Sequence, residues 1–193
     1  GDAGTDATDP GEPPAPDGPP YAQWIDPFIG TGGALANVGS ALPGATAPLG
    51  LIKASPDTRT RYGMPTFQHC AGYRYEDDRI YGFTHTHLHG TGAPDYGNVM
   101  VMPTIGMTEA RTKLFGVTAP FTHEDEIATP GYYAVTLLDP RVRVEMAATT
   151  RCAHHRYTFL DAPEAGTVVL DPTASLDGGR SKGGALTIDP ATG

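Results

Sequence analysis

The stretch YGFTHTHLHGTGAPDYGNVMVM, residues Tyr81–Met102, decides both the fold and the place where we expect function. It begins with alternating apolar and β-branched residues, a pattern that favours a strand. Because strand side chains alternate between faces, His85, His87 and His89 are predicted to project from one face. A glycine-rich turn follows, and the short apolar run Val99–Met102 predicts the next strand. A strand that carries three imidazoles into a glycine loop is an unusual arrangement for packing alone.

The residues by themselves leave three interpretations of these histidines. They are half-buried side chains bonded to their neighbours, ligands of a zinc ion, or a polar floor that binds a hydroxyl-rich ligand together with Thr91. Strand residues four apart lie about 13 Å from each other, so three such imidazoles do not easily converge on one ion. The ligand floor is therefore the best of the functional interpretations, and the packing interpretation stays open beside it.

The segment GFTHTHLHGTGAPDYG, residues Gly82–Gly97, resembles the N-terminal domain of glycoside hydrolase family 92, the calcium-dependent exo-acting α-mannosidases. That family carries a stretch close to GFSHTHLSGTG, so His85 and His87 match it and His89 stands where it usually has serine. A zinc site of three histidines therefore does not belong to the family pattern. Further motifs of the family are DPFIGTGG at 26–33, PGA at 43–45, SPDT at 55–58, CAGYRY at 70–75, PGYY at 130–133 and HRY at 155–157.

The resemblance implies a β-sandwich that packs against a large helical barrel and supplies one wall of a sugar pocket. The barrel holds the catalytic acid, the catalytic base and the ligands of the calcium ion, so no catalytic or metal-binding residue is assigned in this chain. The expected substrate-binding residues of the wall are Phe67, His69, His85, His87 and Thr91. Many members carry tryptophan near the position of Phe67, whose smaller ring keeps a face for the C–H side of a sugar.

Three other features leave alternatives open. Asp57, within SPDT, is expected either to support a site residue or to form a turn with its own backbone. The charged patch at 123–126 is expected to be a solvated loop rather than an acid–base pair. Cys70 and Cys152 form one disulfide in an oxidising compartment or are both buried thiols.

The composition limits the possible partners. The chain of 193 residues is large enough for one core, and its net charge of −9 without a basic cluster argues against nucleic acid and anionic membranes. No apolar run is long enough to span a bilayer, and no signal peptide is recognised.

The chain divides into a tail and a domain. Residues 1–20 hold five carboxylates and no basic side chain, which predicts a disordered linker. Such tethers are typical of exported proteins, whether periplasmic, secreted or lipid-anchored at the cell surface. The folded domain is predicted to span 21–193, with Trp24, Ile25 and Phe28 anchoring the start of its core.

The last third of the chain favours strands. Apolar and polar residues alternate over 141–148 and again over 153–159, and Ala185–Ile188 is expected to begin another strand. No window combines a helical period with caps. The sequence therefore predicts an all-β protein, an antiparallel β-sandwich that is incomplete at its C-terminal end.

The expected function is that of the N-terminal domain of an exo-acting, inverting, calcium-dependent α-mannosidase. Mannose-containing glycans, most simply with α-1,2 linkages, are the implied substrates, and the fragment alone is expected to be inactive. Two alternatives stay open. A stand-alone carbohydrate-binding module would bind sugar by itself, and a zinc hydrolase that uses His85, His87 and His89 would bind zinc and need His89.

Overall fold

The computed structural model describes residues 21–33, 40–61, 67–113, 116–161, 166–177, 185–187 and 189. The regular structure of these residues consists of strands and four short 3₁₀ helices. The helices are Ala22–Trp24, Phe67–His69, Glu109–Thr112 and His123–Asp125. The linker predicted for residues 1–20 lies outside the described residues.

Within the described ranges, ten strands form two antiparallel sheets. In chain order they are β1 (Ala45–Thr46), β2 (Lys53–Arg59), β3 (Arg79–Thr84), β4 (Met100–Thr104), β5 (Ala119–Pro120), β6 (Ile127–Thr129), β7 (Tyr132–Leu138), β8 (Arg141–Ala148), β9 (Ala153–Phe159) and β10 (Thr167–Asp171). The first sheet has the order β1-β2-β3-β4-β10, with β5 paired to β3, and the second has the order β6-β7-β8-β9. The predicted all-β, antiparallel sandwich is confirmed.

The core lies between the two sheets. Phe83 of β3 and Met102 of β4 meet Val142, Val144 and Met146 of β8 in one buried cluster. The predicted apolar face of 141–148 is confirmed at Val142, Val144 and Met146, which are all buried. The alternation of burial is incomplete, because Arg143 between them is buried as well. Burial of such side chains is worth about 1.5–3 kcal/mol each and drives the packing of the sheets.

The sandwich has two ends that differ in their connections. We call the loop end the one that contains residues 47–52, the long connection 85–99, and the turns at 130–131 and 149–152. The backbone N–H of Leu51 donates to the carbonyl of Thr150 over 2.8 Å, which ties the two sheets together there. The opposite end, which contains the 139–140 turn between β7 and β8, is called the turn end.

Three details of the sequence interpretation are wrong. β3 ends at Thr84, so the three histidines do not continue it as a strand face. Trp24 and Ile25 are exposed, because their short 3₁₀ helix lies on the surface and the chain turns inward only at Phe28. Residues 185–187 are described and are not part of a strand.

Candidate functional site

The three histidines after β3 diverge in the structure. The Nδ1 atom of His85 donates to the carbonyl of Val99 over 2.7 Å, and its ring lies against that of His155 with centroids 4.9 Å apart. The ring of His87 turns inward, while the Nε2 atom of His89 accepts a hydrogen bond of 3.1 Å from the N–H of Leu42. The zinc interpretation needs the three imidazoles to converge, and they do not.

His87 belongs to a buried polar network beneath the loop end. Its Nδ1 atom lies 2.7 Å from the carbonyl oxygen of Lys53, and its Nε2 atom lies 2.9 Å from a carboxylate oxygen of Asp57. The hydroxyl of Thr84 donates to the other oxygen of Asp57 over 2.8 Å. The hydroxyl oxygen of Thr84 also lies 2.8 Å from Nε2 of His87, so this ring nitrogen has two buried polar partners. Asp57, which is 1% exposed, therefore supports a predicted site residue, and the turn interpretation is wrong.

A second buried pair lies beside the first. The Nε2 atom of His69 donates to Asp77 over 2.7 Å, and the same carboxylate oxygen accepts a hydrogen bond of 2.8 Å from the hydroxyl of Thr58. The backbone N–H of Arg74 donates to the Thr58 hydroxyl over 2.8 Å. His69 and His87, two of the three predicted site histidines, are therefore partners of buried aspartates. We call His87 with Asp57 and His69 with Asp77 the two Asp–His pairs.

Gly72 fits between the two pairs. It adopts a φ of +84°, which favours glycine, and a Cβ atom there would lie 2.0 Å from Oδ1 of Asp57 and 3.0 Å from Nε2 of His87. The carbonyl of Gly72 accepts a hydrogen bond of 2.9 Å from the N–H of Thr58. The loop at 67–73 is thus held against β2 through the backbone of Gly72 and through Asp77, which binds both His69 and Thr58.

The surface of this loop carries Phe67. Its side chain is 57% exposed, and its backbone carbonyl accepts a hydrogen bond from the thiol of Cys70. A Cβ atom on Gly92 would lie 3.4 Å from the edge of the Phe67 ring, so this ring borders the turn that carries Thr91. The hydroxyl of Thr91 donates to the carbonyl of Ala93 over 3.2 Å.

The five predicted substrate-binding residues therefore occupy three kinds of position. Phe67 and Thr91 lie side by side at the surface, His69 and His87 lie buried below them, and His85 is half-buried toward β9. Only the surface pair is placed to touch a ligand directly without rearrangement. Whether any of the five binds substrate stays a prediction.

His155 adds an unusual titratable group near His85. Burial, followed by the neighbouring His85 and His154, lowers the pKa of His155 to about 4. The hydroxyl of Tyr157 lies 2.8 Å from its Nδ1 atom, and among the described residues its buried Nε2 atom has no hydrogen-bond partner. The ring is thus held neutral in a site that offers no compensation for a charge.

Sequence reasoning missed the role of Glu126. Its carboxylate is almost fully buried and accepts hydrogen bonds from the hydroxyls of Tyr73 over 3.0 Å and Tyr133 over 2.6 Å, and from His123. Burial and the negative charge of Glu126 raise the pKa of Tyr133 well above its usual value. The prediction of a solvated loop at 123–126 is therefore wrong at Glu126. The signal in the sequence was Tyr133, the second tyrosine of PGYY, whose hydroxyl needs a buried partner.

The described residues do not fit a calcium site or a disulfide. No three histidine, cysteine or acidic side chains among them lie close enough together to hold a metal ion. Cys70 is a buried thiol and Cys152 an exposed one. In the part of the chain that the structure describes, no helix is long and apolar enough to cross a membrane.

Another cleft, of about 370 Å³, lies between β3, β4, β10 and residues 111–113 and 116–117, and Asp57 and Thr84 of the buried network also line it. Tyr81 and Met100 form its floor, with Arg111 and Asp171 at the sides. It contains none of the five predicted substrate-binding residues. We therefore keep the candidate site at the surface formed by Phe67 and Thr91.

Comparisons with known proteins place the chain in a family. The glycosyl hydrolase family 92 N-terminal domain matches residues 24–193. A protein described as an uncharacterized secreted glycosidase, from Arthroderma benhamiae, is 30% identical over 147 residues, 71% of this chain and 17% of that protein.

Solved structures agree with this match. A family GH92 α-mannosidase from Bacteroides thetaiotaomicron is 33% identical, with a TM-score of 0.70 over 81% of this chain and 21% of its own. An inverting mannosidase of the same family, from strain VPI-5482 of that species, is 28% identical, with a TM-score of 0.59 over 78% of this chain and 19% of its own. The chain thus spans about a fifth of the length of these relatives.

Proposed function

The chain belongs to glycosyl hydrolase family 92, whose N-terminal domain it matches, and we propose that it serves an exo-acting, inverting, calcium-dependent α-mannosidase. The proposal takes mannose-containing glycans with α-1,2 linkages as substrates. It is supported by the α-mannosidase and the inverting mannosidase that resemble this chain. The chain alone is proposed to be inactive, because it supplies one wall of the sugar pocket and lacks the catalytic carboxyl groups.

The observation that carries this proposal is the exposed ring of Phe67, held beside Thr91 above the two Asp–His pairs. A flat apolar ring suits the C–H face of a sugar, and a neighbouring hydroxyl suits its polar edge. His69 contributes by fixing the loop at 67–73 and His87 by fixing the connection at 85–99, rather than by touching the ligand. His85 is bonded to the backbone through Nδ1 and lies against His155 of β9.

The catalytic acid and base are proposed to lie in a helical barrel of the same polypeptide. Inverting hydrolysis needs an acid that protonates the leaving oxygen and a base that activates water, with the two carboxyl groups about 6.5–9.5 Å apart. We assign the calcium ion to that barrel as well, since the described residues here do not fit it. Export of the protein is supported by the secreted glycosidase that resembles it.

The test is mannose release from an α-1,2-linked mannobiose, with calcium and with a chelator. The chain alone is compared with the full-length polypeptide. We expect release only by the calcium-loaded full-length protein. Inactivity of that protein would overturn the proposal, and turnover by the 193-residue chain alone would contradict the division of the site. Sugar affinity of the chain alone would instead favour a carbohydrate-binding module.

The Phe67 wall is tested by a matched pair of variants in the full-length protein. Phe67→Ala is expected to lower kcat/KM about tenfold, which corresponds to about 1.4 kcal/mol of lost transition-state binding. Leu138→Ala removes another exposed apolar side chain, at the turn end, and is expected to leave kcat/KM unchanged. Equal effects of the two variants would remove Phe67 from the site.

A further inference from the structure

The long connection 85–99 meets the second sheet at its first residue. The ring of His85 lies against the ring of His155 on β9, with centroids 4.9 Å apart and planes tilted by 42°. The Nδ1 atom of His85 is bonded to the carbonyl oxygen of Val99 over 2.7 Å, so both ends of the connection come together at this ring. The contact of the two imidazoles therefore joins the base of the connection to β9.

The base of the connection is paired with itself. The N–H of His85 donates to the carbonyl of Asn98 over 3.1 Å, and the N–H of Gly97 donates to the carbonyl of Thr86 over 2.8 Å. The hydroxyl of Thr86 also donates to the carbonyl of Asn98, over 3.0 Å. Because the two ends are bonded to each other, the position of His85 sets the position of the turn between them. That turn carries Thr91.

His155 lies in a place that suits only a neutral ring. Its Nδ1 atom lies 2.8 Å from the hydroxyl of Tyr157, and among the described residues its buried Nε2 atom has no hydrogen-bond partner. An imidazolium carries an N–H on both nitrogens, so a charged His155 would bury one donor without an acceptor. The contact with His85 is therefore stable while His155 is neutral.

The surroundings of His155 supply no compensating charge. The groups that face it are His85 from the connection, His154 and Tyr157 from its own strand, and Met146 from β8. Glu145, the carboxylate beside Met146, is bonded to Arg156. Burial, followed by the charges of His85 and His154, lowers the pKa of His155 to about 4. Each of these causes opposes a proton on this ring.

We propose that His155 is a positioning residue of the sugar wall formed by Phe67 and Thr91: its neutral ring holds His85, and through it the connection 85–99, against β9. The role of the wall rests on the proposed function, and His155 lies outside the five predicted substrate-binding residues. Uptake of a proton releases the contact, because the charged ring needs water at Nε2. The sugar wall is thus assembled at neutral pH and loosened in acid.

The size of this effect follows from the difference in pKa between the two forms. A His155 that has been released into water titrates near its usual value of about 6.5, whereas in the contact its pKa is about 4. Between these values the released form binds more protons, so acid favours it. Linkage makes the release about 20-fold more favourable at pH 5 than at pH 7.

The test is backbone hydrogen exchange of the full-length protein, measured by mass spectrometry on peptides from 85–99 and from β7. Each rate is divided by the intrinsic rate at the same pH, so that the resulting protection reports how often the amides open. The protection of 85–99 is expected to fall about 20-fold from pH 7 to pH 5 and to stay below that of β7. Equal protection of 85–99 at the two pH values would overturn the proposal. Identical protection of 85–99 and β7 would also overturn it, because the whole sandwich would then be opening.

A matched pair of variants assigns the effect to one ring. His155→Gln keeps a polar side chain beside Tyr157 and takes up no proton, so the protection of 85–99 is expected to be equal at pH 7 and pH 5. His154→Gln changes the exposed neighbour on the same strand and is expected to keep most of the fall. A fall that survives in His155→Gln would assign it to the histidines of the connection itself and would overturn the proposal.

Mannose release by the same proteins tests the positioning role and separates it from the proposed function. The KM of the unmodified protein for an α-1,2-linked mannobiose is expected to rise from pH 7 to pH 5, and that of His155→Gln to rise less. The change in kcat is expected to be the same in both, because the catalytic groups are proposed to lie outside the wall. Equal changes in KM would overturn the positioning role. Absence of mannose release at both pH values would instead remove the mannosidase assignment, and the exchange experiment would still decide whether His155 holds the connection.

Discussion

The two ends of the sandwich are built from the same strands and carry different chemistry. At the turn end, Arg141 and Asp161 form an ordinary surface ion pair of 3.1 Å, and both side chains are 57% exposed. At the loop end, Trp24 and Leu49 are exposed, and the pair of His87 and Asp57 is buried below the surface. β7 and β8 connect both ends, so the difference does not come from the sheets. The difference lies in the loops that this common scaffold carries at its two ends.

The largest expected effect tests whether the buried charges stabilise the loop end more than a surface pair stabilises the turn end. Asp57→Ala removes the acceptor of His87 and Thr84 and leaves their buried donors unsatisfied, which is expected to lower the free energy of unfolding by about 2–4 kcal/mol. Asp161→Ala removes a surface partner and is expected to lower it by less than about 1 kcal/mol. Urea unfolding followed by circular dichroism measures both.

Similar urea midpoints for Asp57→Ala and Asp161→Ala would contradict this prediction. The buried pair would then stabilise the loop end no more than the surface ion pair stabilises the turn end. Asp57→Asn is a useful intermediate, since it keeps the shape and one of the two acceptor oxygens. Its stability is expected to lie between those of Asp57→Ala and the unmodified chain.

A smaller effect is expected from pH, through His155 at the loop end. Its folded pKa of about 4 lies below the value of about 6.5 in an unfolded chain. Between these values the unfolded state binds more protons, so stability is fully present above pH 6.5 and is lost as the pH falls toward 4. The loss is expected to reach about 2–3 kcal/mol.

The control for this prediction is the neighbouring histidine. In urea unfolding between pH 7 and pH 4.5, His155→Gln is expected to flatten the dependence on pH. His154→Gln, which changes an exposed residue of the same strand, is expected to keep it. If the stability of His155→Gln still falls with decreasing pH, other groups cause the pH dependence. His155 would then not be the titratable site of the loop end.

The strands could be predicted from the sequence because their signal is local. Val142, Val144 and Met146 alternate with charged residues. Such a period of two indicates a strand with one buried face. The same rule failed at His87, where a period of two continues in the sequence after β3 has ended. The partner that turns this ring inward, Asp57, lies 30 residues earlier, and no local pattern identifies it.

The surface could not be predicted for a different reason. The expectation that Trp24 and Ile25 anchor the core rests on the rule that large apolar side chains are buried in the completed protein. In this chain, which spans about a fifth of its relatives, they are exposed. The site residues matched by the resemblance were easier to find, yet sequence alone did not separate the exposed Phe67 from the buried His69.

The smallest predicted effect concerns strain and compares two residues of the loop end that both have positive φ. Leu49→Gly is expected to raise the free energy of unfolding of the chain by about 0.5–1 kcal/mol, because glycine adopts a φ of +57° at little cost.

The opposite change at Gly131, whose φ is +83°, is the matched control. Among the described atoms nothing lies within 4 Å of the position that a Cβ would take, so Gly131→Ala meets no clash and is expected to lower the free energy of unfolding by about 1 kcal/mol through the backbone alone. Thermal or urea unfolding measures both changes. If Leu49→Gly also destabilised the chain, Leu49 would be contributing to this fold. The cost of its positive φ would then be offset by contacts within the chain.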